Sequence, residues 1–223
     1  MSTVRELIYD VREKLNLTTD DVDITNEYIH HLLNDERAYY IKQKFQDFRI
    51  TIPESLKQTL KIELELVDSN PGITNGEKIL RSKNVLPTLI NLGAKNYFVR
   101  ILSRDYNSIP YVYTSFDRFP YVGKDKWNLN TVYAAIGPDH KLYLKSGMGY
   151  ENSFKIILVM GIFENPEDAW FNSVEYSPSY NYLDTEYPLS KELSKVVIQS
   201  VIQSLGITYQ TKEDPTNNAT DES

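Results

Sequence analysis

Catalysis and metal binding need particular side chains at particular spacings, and this chain offers few of them. It has three histidines: His30 and His31 side by side in a helical stretch, and His140 in "GPDHK". Neighbouring helical residues point about 100° apart, so His30 and His31 cannot share a metal as an i, i+4 pair would. They read as solvated side chains. With no cysteine, the sequence lacks a thiolate for zinc or for nucleophilic attack. "SGMGY" at 146–150 has neither the lysine nor the strand-to-helix setting of a phosphate loop, and no G-x-S-x-G elbow occurs.

Carboxylates are plentiful, and a pair of them can hydrolyse a glycosidic bond when held roughly 5–10 Å apart. Asp20, Asp21 and Asp23 precede a helix start, where acids favour the dipole, and they lack the spacing of a calcium loop. Asp105 and Asp117, each beside an arginine and near tyrosines, are the remaining catalytic candidates. A solvated loop or a local ion pair explains both more simply. The expectation is therefore no enzyme, no metal and no cofactor.

Any such residues need elements to position them. The chain has 223 residues, 41% hydrophobic and 25% charged, which suits one globular domain or a domain with an insertion. No run reaches the roughly 18 apolar residues of a membrane span, and "MSTVRELIYDVREKL" reads as an amphipathic helix rather than a signal peptide. The formal charge of −7 argues against a chain that grips nucleic acid, although an acidic wall can surround DNA without adhering to it. Seventeen tyrosines fit either strands or interfaces.

Val4, Leu7, Ile8, Val11 and Leu15 form a helical stripe. Thr25 is placed to cap a second helix, with Ile24 and Ile29 as a hydrophobic staple. Ile29, Leu32, Leu33, Tyr40, Ile41, Phe45 and Phe48 carry that helix's apolar face. At "LKIELELVD" the period changes to two, the mark of a strand with one wet face. Further strands are predicted at "YFVRIL", "PYVYTS", "RFPYVG", "TVYAAIG", "KLYLKS" and "FKIILVMGIF", with a tight turn in "IGPDHKLY". A short helix is predicted near Pro166, and a final one from about Pro188 to Gly206. The predicted fold is α+β. Residues 1–53 and 186–206 make a helical base, 54–185 a mostly antiparallel β insertion, and 207–223 a tail that is disordered or ordered by a partner.

The final helix is apolar over a wide arc. Leu189, Leu193, Val196, Val197 and Leu205 mark one face, and Ile198, Val201 and Ile202 extend it. Two readings stay open: central burial within its own domain, or one face on its own domain and one on a neighbouring subunit. On the second, Leu193, Val197, Ile198, Val201, Ile202, Leu205 and Tyr209 form a subunit or portal interface.

Several stretches in order carry a resemblance: "VRELIYDVREKLNLTTDDVDITNEYIHHLLNDERAYYIKQKF", "IPESLKQTLKIEL", "LRSKNVLPTLI", "RFPYVGKDKWNLNTVYAAIGPDHKLYLKS" and "DTEYPLSKELSKVVIQSVI". Together they resemble the neck ring, or head–tail connector, structural proteins of crAss-like bacteriophages, up to about residue 210. The resemblance implies a virion protein made in the bacterial host cytoplasm. Copies, on the order of twelve, would close into a ring by heterologous contacts. Its neighbours would be the portal and adjacent neck or tail rings, with genomic DNA passing through unbound. An alternative is a tyrosine-rich β domain in which Trp127 or Trp170 stacks on glycans or protein ligands.

Overall fold

The structure is a computed structural model that describes residues 2–15, 24–47, 49–67, 79–92, 98–104, 109–123, 127, 131–146 and 155–210. Helix α1, Val4–Lys14, opens with a reciprocal capping box. Thr3 Oγ1 accepts from the Glu6 N–H at 3.2 Å, and Glu6 accepts from the Thr3 N–H at 3.0 Å. Its stripe Val4, Leu7, Ile8 and Val11 is buried, each side chain contributing about 1.5–3 kcal/mol by leaving water. Helix α2, Asn26–Phe45, is capped by Thr25, and Ile24 and Ile29 are buried in the same core as the staple requires. Phe48 and the 16–23 break lie outside the described residues.

Helix α4, Lys191–Gln210, runs antiparallel to α2. Glu36 accepts from Ser200 and Ser204, while Lys44 pairs with Glu192 at the other end. Both boundaries differ from expectation. Pro188 sits in a tight bend, with the Leu189 N–H donating to the Tyr187 carbonyl at 2.7 Å and its own carbonyl accepting from Arg37, and Ser190 receives the first turn instead: its Oγ accepts from Leu193 and its carbonyl from Ser194. Gly206 is helical rather than a terminator, with open space where a side chain would project.

Seven strands lie in the order β3-β7-β1-β2-β6-β5-β4. They are β1 Gln58–Val67, β2 Ile79–Ser82, β3 Phe98–Ser103, β4 Tyr111–Tyr113, β5 Val132–Ile136, β6 Leu142–Ser146 and β7 Ile156–Gly161. All pairings are antiparallel except β4 with β5. Strand β1 serves two neighbours: residues 58–63 pair with β7 and residues 64–67 with β2. On its wet face, Glu63 and Glu65 pair with Lys83 and Arg81. "RFPYVG" is not a strand; Phe119–Tyr121 is a 3-10 turn. Pro120 has no N–H for a ladder, and Phe119 is buried against Tyr133 and Tyr143 on the sheet's outer face. The β5–β6 turn needs Gly137, where a Cβ would sit 2.6 Å from both Asp139 and Tyr143.

The sheet rolls up. Inward side chains from Ile101 on the edge strand β3 and Val132 on β5, the strand next to the other edge, share one core with Leu60, Leu142 and Val159. The sheet's edge strands, β3 and β4, are consecutive in the chain, and the Ile109 N–H donates to the Ile101 carbonyl at 2.9 Å across the seam. A second core joins α1, α2 and α4, and it also takes Leu56, Ile90, Leu92, Ile162 and Tyr182 from connections around the sheet. Helix α3, Pro166–Phe171, leads from β7 into a strap, residues 172–176, that hydrogen-bonds along the free edge of β1's first half. There the Lys61 N–H donates to the Asn172 carbonyl and the Val174 N–H to the Thr59 carbonyl.

Because Gly206 sits in open helix, Gly206→Ala is expected to raise stability by about 0.5–1 kcal/mol. Urea unfolding followed by circular dichroism checks this; a neutral or destabilising result would mean that the last turns of α4 are not helical in solution.

Candidate assembly surface

The final helix depends on an arginine that sequence reading did not single out. Arg37, midway along α2, is completely buried. Its Nε donates to the Pro188 carbonyl at 2.9 Å and its Nη1 to the Phe163 carbonyl at 2.8 Å. Its guanidinium lies 5.8 Å from the centre of the Tyr187 ring. Nη2 has no hydrogen-bond partner among the described residues. One side chain thus ties α2 to the exit of β7 and to the entrance of α4. Burial pushes the Arg37 pKa down, opposed by Tyr187 and Tyr182; burial likewise pushes the phenols of Tyr187 and Tyr182 up. The Tyr187 hydroxyl donates to Asn34 Oδ1 at 2.7 Å, a second tie between α2 and the lead-in to α4.

With its entrance fixed, α4 turns Leu193, Val197, Ile198, Val201 and Leu205 into its own chain's helical core, where all five are buried. The wide apolar arc is filled by α1 and α2 within one subunit. Ile202 is half-buried against the same core, and Val196 is 43% exposed. The backbone of Tyr209 belongs to α4, but its side chain lies outside the described residues, as does the tail from 211 onward.

Of the two candidate carboxylates, the structure places only one. Asp105 lies outside the described residues, and Asp117 is an exposed turn residue beside Arg118. Among the described residues no cluster of three metal-ligating groups occurs. His31 is exposed and pairs with Asp35, as a solvated side chain should. His30 differs: it is mostly buried, stacks on Tyr182 at 5.6 Å, and has its Nδ1 3.8 Å from Glu167 of α3. Its pKa is lowered, chiefly by burial, with Glu167 opposing. The missed signal is Tyr182, which supplies the wall that takes His30 out of water.

The exposed aromatics are mostly scattered: Tyr9, Tyr39, Tyr121 at 75% and Trp127 at 85%. One group is contiguous. Trp170, Phe171 and Tyr176 meet edge-on at 5.1–5.9 Å on the strap beside β1, where Phe171 is 50% exposed. The strap separates two clefts. One, of about 320 Å³, lies towards Val85 and Pro87; the other, of about 360 Å³, lies towards Glu54, Gln58 and Glu186.

Residues 6–223 match the family described as phage tail ring protein 2. A curated relative from Bacteroides phage crAss001, "Ring protein 2", is 31% identical over 226 aligned residues, covering 99% of this chain and 97% of its own. The chain belongs to this family of phage ring proteins, and its role is structural, in the virion.

Arg37→Ala would strand two buried carbonyls and open the joint between α2 and α4. A loss of about 3–5 kcal/mol is expected, with Arg37→Lys recovering little because one ammonium cannot reproduce the fork. Calorimetric unfolding reads both, and a loss under 1 kcal/mol for the alanine variant would show the joint holding without the clamp. His30 gives a pH prediction. Its folded pKa lies below the ordinary 6.5, so the unfolded chain takes up the proton first as pH falls. The stability that neutral His30 contributes is complete above about 6.5 and declines below it, down to the folded pKa. His30→Gln should lose less stability than wild type between pH 7.5 and 5.5; identical losses would exclude His30 as a contributor.

Proposed function

We propose that copies of this chain close into a ring in the neck of the virion, joining the portal to the tail around the exit path of the genome. The observation that carries this reading is the match to ring proteins across nearly the whole chain. A closed ring on the order of twelve copies needs heterologous contacts, each subunit offering two different faces. The helical base, residues 1–53 and 186–206, forms the wall, and the rolled sheet within 54–185 projects outward or towards the next tail component. The portal and adjacent neck or tail rings are the partners.

Helix α4 then has two duties in this proposal. Leu193, Val197, Ile198, Val201 and Leu205 hold the subunit rigid from inside, while the outer positions Val196 and Ile202, with Tyr209 and the tail, meet the neighbour or portal. The formal charge of −7 suits a conduit, since like charge lets DNA pass without adhering. Synthesis belongs to the host cytoplasm and residence to the virion. No helix among the described residues is long and apolar enough to cross a membrane.

Sedimentation velocity of the purified chain, alone and mixed with the portal protein of the same phage, tests the placement. The expected result is a discrete, ring-sized complex with the portal. A chain ending at Gln210 keeps α4 whole and should fold normally but join that complex poorly. If neither the portal nor the neighbouring ring proteins retain the full chain, the neck placement is wrong; if the shortened chain joins as well as the full one, the tail has no docking role.

A further inference from the structure

We propose that the β1 strap face of one copy receives the β3–β4 seam of the next, making the rolled sheet a second side-to-side contact in the ring. This rests on the ring reading above and adds to it the two surfaces that meet. The first argument is placement. Going round the sheet from the β3–β4 seam, the junction of β1 with β2 and the strap is reached after three strands in one direction and four in the other. The seam therefore lies at the ends of the strand order and the strap at its middle, so the two are different surfaces. A heterologous ring needs that arrangement, because each copy must offer different faces to its two neighbours.

The second argument is charge. The strap cleft of about 360 Å³ is lined by Glu54, Glu175 and Glu186 against one cation, Lys57, which is itself paired with Glu54. Trp170 forms part of its wall. Gln58 also lines it: Nε2 donates to the Pro166 carbonyl at 3.1 Å, while Oε1 is a buried acceptor without a donor among the described residues. An acidic cleft with an aromatic wall and an unused acceptor suits a guanidinium, which donates in a planar fork and stacks on rings. The seam carries guanidinium groups. Arg100 on β3 and Arg104 just beyond it are exposed, and neither forms an ion pair among the described residues. Val112 on β4 adds an exposed apolar patch at the same seam. The contact is one of side chains, with arginines of one copy entering the acidic cleft of the next.

The chain contains no cysteine, so introduced ones report cleanly. Arg104→Cys combined with Glu175→Cys is treated with a short bis-maleimide, beside each single variant and the wild type, and sedimentation is followed in parallel. The expected result is a ladder extending past dimers for the double variant and no further than dimers for the single ones. Charge reversal supplies the second readout. Arg100→Glu with Arg104→Glu should lower the assembled fraction at least tenfold, as should Glu54→Lys with Glu175→Lys, and all four together should restore it. Rings of wild type with no ladder and no rescue would overturn this contact and leave the ring reading standing. A ladder without closed rings would keep the contact and overturn closure. A wild type that never assembles, with no ladder, would overturn both.

Discussion

The position of everything late in this chain depends on a buried cation that has no carboxylate. Arg37 holds the carbonyls of Phe163 and Pro188, one just past β7 and the other just before α4. A lone guanidinium in an apolar core costs several kcal/mol unless its N–H groups are satisfied, so the clamp works only when both segments arrive together. That makes it a gauge of assembly within the subunit. The sheet's exit and the last helix's entrance must be correct at once, or the charge stays unpaired. The nearby phenols add favourable rings and no competing charge at neutral pH, since burial keeps both protonated.

Fixing α4 this way decides what the subunit can offer outside. Five of its large apolar side chains are buried with α1 and α2 in one core, so they hold the three helices together from inside. The sheet's inner face is finished as well, because side chains from β3 through β5 meet in one core. In the ring proposed above, copies would meet through side-chain shape and charge, where affinity can be modest and ring closure would multiply it.

The architecture was legible in the sequence wherever period and caps agreed. Val4 to Val11, the Thr25 cap with its Ile24–Ile29 staple, and the alternation in β1 all describe short-range physics that the fold obeys. Failures came where a distant group overrode a local signal. Pro188 reads as a first-turn residue, but Arg37, 151 positions earlier, claims its carbonyl and delays the helix to Lys191. "RFPYVG" has strand composition, yet Phe119 finds a better burial against Tyr143 and Pro120 cannot enter a ladder. Strand β2 gave no alternation to detect, being four residues buried on nearly every side chain.

The assembly surface was less legible for a physical reason. An active site needs rare residue types at strict spacing, so absence of such a set is readable from sequence. A docking face needs only ordinary residues brought to one flank, and the flank is created by rolling the sheet. Glu54, Glu175 and Glu186 are spread over 132 positions, and nothing in their neighbours marks them as one cleft. A wide apolar arc on α4 carried the opposite ambiguity, since burial inside a subunit and burial between subunits demand the same side chains. What separates them is whether α1 and α2 have matching stripes to fill it, and they do: Val11 and Leu33 lie in one core with Val197 and Val201. Counting apolar faces across all helices, and asking whether they cancel in pairs, is therefore a better sequence test for an interface than the width of any one arc.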